Sequence, residues 1–162
     1  MKLLPICSSS KGNSCYIGSR ESGILIDVGC SYKALREGLA LMNVNVGAVR
    51  AVLVTHSHTD HVKGLLTMTK NIDIPIYASQ ETLDYLLHNH LVTGTADLHT
   101  TDELNGVQFD GEIKAFSTPH DCAGSVGYVI DLEVEKLGYC TDLGEVTAEV
   151  RSNLLGCRTV FI

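Results

Sequence analysis

The stretch Ala51-Val52-Leu53-Val54-Thr55-His56-Ser57-His58-Thr59-Asp60-His61 runs from an apolar segment straight into a cluster of metal-binding side chains. The aliphatic run predicts a strand buried on both faces. Positions 56 to 61 then hold three of the chain's seven histidines and one aspartate. A rigid strand fixes the backbone, so the loop that follows can bring side chains from both sides onto one point. Neutral imidazole suits zinc, iron and manganese, and carboxylate suits the harder ions. His56 and His58, two apart, can serve one ion, and Asp60 and His61 can serve its neighbour. A polar surface loop has no physical reason to gather four such side chains at the end of a buried strand.

Upstream, Leu3 to Cys7 and Cys15-Tyr16-Ile17 read as strands around a polar turn over residues 8–14. Ile24-Leu25-Ile26-Asp27-Val28 reads as a buried strand between Gly23 and Gly29. Ser31 caps a helix with Leu35, Leu39 and Met42 on its apolar face. Downstream, one helix is expected over Val62 to Thr69, and a short strand over Ile74 to Tyr77, where Pro75 marks a start or an edge. Ser79 caps a helix with Leu83, Leu86, Leu87 and Leu91 on one face. Strands are expected at Val107–Phe109, Ile113–Ser117, Val126–Leu132, Leu137–Cys140 and from Thr159, with a helix over Glu145 to Leu154. Hairpins mixed with strand–helix alternation fit an α/β (α+β) arrangement of sheets covered by helices.

The 162 residues suit one domain, 1–162, and 44% hydrophobic against 19% charged residues is an ordinary globular balance. The formal charge of −7 argues against blanket attraction to nucleic acid or an anionic membrane; bound cations or a local patch would have to hold a phosphate. No stretch approaches the roughly 20 apolar residues of a membrane span. Met1 to Ile6 carries one charge and no small-residue cleavage site, and is not read as a signal peptide. The six cysteines form no C-x-x-C pair, which favours free thiols in a reducing cytoplasm. Ile162 stops inside an apolar strand, so the domain is expected to be incomplete at its C-terminus.

The run His56 to His61 matches the H-x-H-x-D-H motif of the metallo-β-lactamase superfamily, and the resemblance extends through the chain. It implies the N-terminal half to two-thirds of an αββα sandwich. Asp27 resembles the family's first aspartate, which orients the ligand loop from behind. His120, in Ser117-Thr118-Pro119-His120-Asp121, resembles the third histidine of the first metal site, and Asp142 resembles the bridging aspartate. The resemblance thus implies two divalent cations: His56, His58 and His120 on one, Asp60 and His61 on the other, Asp142 between, with catalytic roles for Asp60 and Asp142. Zinc is the first expectation, and manganese or iron also fit this chemistry. The family supplies the second ion with one more histidine, but none follows His120 here. His88, His90 and His99 read as surface residues.

Ser8-Ser9-Ser10-Lys11-Gly12-Asn13-Ser14 and the stretch from Ser117 to Tyr128 resemble the corresponding regions of the YycJ/WalJ-type bacterial proteins. That branch implies a cytoplasmic phosphodiesterase or DNA exonuclease, with DNA or another phosphodiester as partner. Two cations would share a water, lower its pKa to about 7 and stabilise the leaving oxygen. The turn at Gly12-Asn13-Ser14 is also expected to offer backbone N–H groups to a phosphate. Two alternatives stand beside this reading. One is a hydrolase of another ester or thioester. The other is an inactive metal-binding fragment that forms a homodimer through surface exposed by truncation.

Overall fold

The computed structural model describes residues 2–162, so the reading of Met1 lies outside the described residues. The first sheet has six strands in sequence order: β1 (Lys2–Ser9), β2 (Gly12–Gly18), β3 (Gly23–Ile26), β4 (Val49–Leu53), β5 (Ile76–Ala78) and β6 (Leu98–Thr100). The first three are antiparallel neighbours, and β3 to β6 run parallel. The second sheet is ordered β10-β9-β8-β7, from β7 (Glu112–Ser117), β8 (Val126–Asp131), β9 (Lys136–Tyr139) and β10 (Thr159–Phe161). The helices are α1 (Tyr32–Leu41), α2 (Thr59–Val62), α3 (Leu65–Thr69), α4 (Gln80–His88) and α5 (Ala148–Leu154).

Strand periodicity places three apolar layers. Cys15, Ile17, Ile24, Ile26, Ala51, Leu53 and Tyr77 meet Tyr128, Ile130, Leu137 and Tyr139 between the sheets. Their neighbours Tyr16, Leu25, Val52 and Ile76 face the other way, against Leu35 and Leu39 of α1, Leu65 and Met68 of α3, and Leu83 and Leu86 of α4. Val129 and Phe116 pack with Val150 and Leu154 of α5 on the outer face of the second sheet. This is an αββα sandwich. Period-two alternation on strands buried on both faces sends successive residues to different cores. Each fully buried Leu or Ile contributes about 1.5–3 kcal/mol.

Several local expectations are corrected. Residues 8–14 are not an open turn: β1 and β2 pair as far as Ser9 and Gly12, leaving Ser10 and Lys11 as a two-residue connection. The helix expected over 62–69 is two short helices that take in Asp60 and His61, broken where Gly64 N turns away to donate to Val28 O at 2.9 Å. Val107 to Phe109 form no strand. They follow a 3-10 segment, Thr101–Gly106, and still reach the inter-sheet core. The strand lies instead at Leu98–Thr100, where pairing with β5 outweighs a sequence with one apolar residue. Leu87 is 47% exposed, Leu91 lies beyond α4 and Met42 is only the C-cap of α1. The last helix begins at Ala148 because Thr147 caps it.

Among the described residues no helix is long and apolar enough to cross a membrane. The six cysteines are all free thiols. Cys140 is fully buried beside Val150.

Candidate metal centre

The sequence-predicted site residues sit at the carboxyl ends of four strands. Asp27 follows β3, the run from Thr55 to His61 follows β4, His120 follows β7, and Asp142 follows β9. In open α/β sheets such strand ends are where ligands bind. Backbone bonds hold the four segments in one place. Val126 N donates to Thr55 O at 2.9 Å, and the buried Tyr128 hydroxyl donates to Val54 O at 2.7 Å, which joins the second sheet to the end of β4. Thr118 N donates to Ser125 O at 3.1 Å and closes the loop that carries His120. Gly144 N donates to Pro119 O at 2.9 Å and ties the Asp142 segment to that loop.

Two tight groups of ligand atoms result. His56, His58 and His120 form one, and His56, His61 and Asp142 the other, each with its ligand atoms within 4.8 Å of one another. His58 Nδ1 and His120 Nε2 are 3.2 Å apart, and His61 Nε2 and Asp142 Oδ2 are 3.0 Å apart. Asp60 stands beside the second group, with Oδ2 3.7 Å from His61 Nε2. Asp27 and Asp142 both take left-handed backbone angles, φ 59 and 58, a conformation that aspartate tolerates better than most residues.

Asp27 is fully buried and acts from behind. Its Oδ1 accepts from Thr55 N at 2.8 Å, and its Oδ2 accepts from Thr55 Oγ1 and from His61 Nδ1, both at 2.8 Å. Thr55 Oγ1 also lies 2.9 Å from His56 Nδ1. A carboxylate only accepts, so the single hydroxyl proton of Thr55 goes to Asp27, and Thr55 in turn accepts from His56 Nδ1. Both rings therefore carry their proton on Nδ1 and turn the Nε2 lone pair inward. Such bonds behind a ligand fix its tautomer and orientation.

The donor set fits a cation. His56 Nε2 is buried with no hydrogen-bond partner among the described residues, a costly arrangement for a polar atom unless something binds it. Burial, then the neighbouring His61, His120 and His58, push the His56 pKa down to about 3, so its lone pair stays free. Burial opposes charge on His61 as well, but the bond and charge of Asp27, with Asp142 and Asp60 beyond, hold it above the ordinary histidine value.

Several contributors were not singled out by pattern. Thr55 bridges Asp27 and His56. Asp121 Oδ1 lies 3.1 Å from His120 Nδ1. Ser57 Oγ and Cys122 Sγ, 3.1 Å apart, join the two histidine loops. The sequence marks Asn13 only as part of a turn, yet its side-chain amide enters the site. His99 is not a plain surface residue. It stacks on Tyr77 at 4.9 Å and bridges Asp97 and Glu103, away from the centre. His88 and His90 are exposed.

An open groove of about 510 Å³, lined by Pro119, His120, Asp121, Gly144 and Glu145, flanks the centre. A larger concavity of about 770 Å³ lies at the opposite end of β7 and β8, among Asp110, Glu112, Asp131 and Glu133. No histidine lines it, so the chemistry belongs to the smaller groove.

The profile of the beta-lactamase superfamily domain matches residues 23–162. The chain belongs to that superfamily. "Exodeoxyribonuclease YycJ" of Bacillus anthracis is 30% identical over 159 residues, covering 93% of this chain and 58% of that protein. "Exodeoxyribonuclease WalJ" of Streptococcus pneumoniae (strain D39) is 27% identical over 146 residues, covering 88% and 54%. This superfamily chain therefore spans a little over half the length of the curated relatives it matches. The crystal structure of zinc-bound PqqB from Methylobacterium extorquens superposes with a TM-score of 0.74 at 21% identity over 91% of this chain and 58% of that one, a likeness of fold. The resemblance to YycJ/WalJ-type proteins within the superfamily is thereby shown.

Proposed function

We propose that this chain carries the metal centre of a metal-dependent hydrolase that cleaves phosphodiesters, with DNA as the substrate class. The observation that carries the reading is the convergence of ligand-type side-chain atoms on one another. His56 Nε2, buried and without a hydrogen-bond partner among the described residues, faces His58, His120, His61 and Asp142. His56, His58 and His120 would hold one divalent cation. Asp60 and His61 would hold a second, with Asp142 between the two. Such ions, when bound, supply an activated water and charge neutralisation at a phosphate. Zinc heads the choice for this ligand set, with manganese or iron also suited.

The chain's own groups do the positioning. Asp27 and Thr55 hold the two imidazole tautomers. Asp121 places a carboxylate beside His120 Nδ1. The loops that carry His120 and Gly144 shape a groove through which an extended backbone can reach the ligands. Preference for a phosphodiester over a thioester or lactam rests on the relatives named as exodeoxyribonucleases. Incubating the zinc- or manganese-loaded protein with bis(p-nitrophenyl) phosphate, duplex DNA, a lactam and a thioester tests it. Phosphodiester cleavage lost on chelation is the expected result. Cleavage of the thioester or lactam alone would overturn the substrate class.

A further inference from the structure

Beside the second group stands an amide that no pattern of histidines announces. Asn13 Nδ2 lies 3.0 Å from Asp60 Oδ2 and 3.1 Å from His61 Nε2. Among the described residues, it is the one side chain hydrogen-bonded to both. Asp60 Oδ2 accepts, and His61 Nε2 presents a lone pair because its Nδ1 is bonded to Asp27. The amide N–H groups of Asn13 thus point into the two lone pairs that would otherwise meet a cation.

The backbone beneath this amide is clamped. Gly29 N donates to Asn13 O at 2.8 Å. A Cβ on Gly29 would meet Asp60 O at 1.6 Å and Asn13 N at 2.5 Å, so the hairpin tip, the segment after β3 and α2 touch through bare backbone. Lys63 Nζ, just after α2, donates to Lys11 O. The backbone of Asn13 is therefore fixed, and the orientation of its amide is set by side-chain rotation. A half-turn about Cβ–Cγ exchanges nitrogen for oxygen at almost the same point in space. It replaces a donor facing two acceptors with a neutral oxygen ligand facing a cation between them. Amide oxygen suits zinc less than imidazole does, but it suits manganese and harder ions well.

From this geometry we infer that Asn13 is a ligand of the second cation, bound through Oδ1, and that in the metal-free protein its amide holds Asp60 and His61 in place by occupying their lone pairs. The inference rests on the two-cation reading above.

The test reads metal rather than turnover. Manganese is titrated calorimetrically into the wild type, Asn13→Ala and Asn13→Asp, with metal content measured after desalting and folding checked by circular dichroism. The wild type is expected to bind two ions. Asn13→Ala is expected to retain the first at wild-type affinity and to weaken the second by about tenfold or more. Asn13→Asp, which keeps an oxygen at the same reach and adds charge, is expected to bind the second ion at least as tightly as the wild type. A second ion bound by Asn13→Ala as tightly as by the wild type, or more tightly, overturns the ligand assignment and leaves the two-cation reading standing. Weakening by Asn13→Asp equal to that of Asn13→Ala also overturns it. A wild type that binds a single ion removes both. Lack of phosphodiester cleavage bears on the substrate class and not on this result.

Discussion

Replacing Asp27 with asparagine isolates the contribution of the buried carboxylate, because the side chain keeps its shape and asparagine tolerates the φ of 59 found there. Oδ1 can go on accepting from Thr55 N. At the other position an N–H group would face His61 Nδ1 and Thr55 Oγ1, both at 2.8 Å in the wild type. His61 can accept from that amide only by moving its proton to Nε2, the atom aimed at the centre. Thr55, accepting from the amide, can turn its own proton to His56 Nδ1, which drives the His56 proton to Nε2 as well. One uncharged substitution thus caps both inward lone pairs. What is lost at His61 is a hydrogen bond to a charged group, about 1.5–3 kcal/mol. At 1.4 kcal/mol per decade this is roughly a ten- to hundredfold loss in metal affinity. Titration of manganese or zinc gives the affinity, and nitrogen-15 histidine spectra of the metal-free protein give the tautomers. Wild-type affinity in Asp27→Asn, or inward nitrogens that remain unprotonated, would refute the reasoning.

Three further outcomes follow from the geometry. His58→Ala and Asp60→Ala remove two proposed ligands, whose side chains are 41% and 33% exposed. Both variants should lose bound metal and hydrolysis while melting within about 1 kcal/mol of the wild type; unchanged metal stoichiometry in both would contradict the ligand assignment. Gly29→Ala places a methyl group against the Asp60 carbonyl, so it should destabilise the fold by more than the roughly 1–3 kcal/mol of ordinary overpacking, read by chemical denaturation. His99, bonded to Glu103 and with Asp97 beside it, has its pKa raised. Its contribution to stability is therefore fully present below the ordinary value of 6.5 and is lost as pH rises through the raised value, so His99→Gln should flatten the dependence of melting temperature on pH above 6.5.

The parts of this molecule that could be read from sequence are those where one local pattern decides the outcome. Leu25 and Leu53 lie in continuous apolar runs that have no stable place except a strand buried on both faces. The ligand cluster sits immediately after one of these runs. Capping residues Ser31 and Ser79 announce their helices by chemistry that acts within three residues. What escaped depends on partners distant in the chain. Leu98 to Thr100 forms a strand because β5 offers it an edge. The helix at 62–69 breaks because Gly64 N finds Val28 O. Thr55 and Asn13 are polar residues of kinds found in any loop. Their importance appears only when folding sets Thr55 against Asp27, 28 positions away, and Asn13 against Asp60, 47 positions away.

The charge balance bears on how a phosphodiester could be held at all. The chain carries a formal charge of −7, and the groove beside the centre is walled by Asp121 and Glu145. Long-range attraction therefore works against a polyanion, and a basic track of the kind that grips nucleic acid backbones is not what this groove offers. On the proposed reading, affinity has to come from the centre itself. Four inward-facing imidazoles add no negative charge there, while Asp60 and Asp142 add two carboxylates that divalent cations would more than offset. The balance of neutral and anionic ligands then decides how much positive charge remains for a phosphate. An extra carboxylate would strengthen metal binding but weaken the hold on substrate. A neutral amide at position 13 gives the second cation another oxygen without that loss. This is a physical reason for an asparagine, rather than an aspartate, to stand near the start of β2 beside Asp60 and His61.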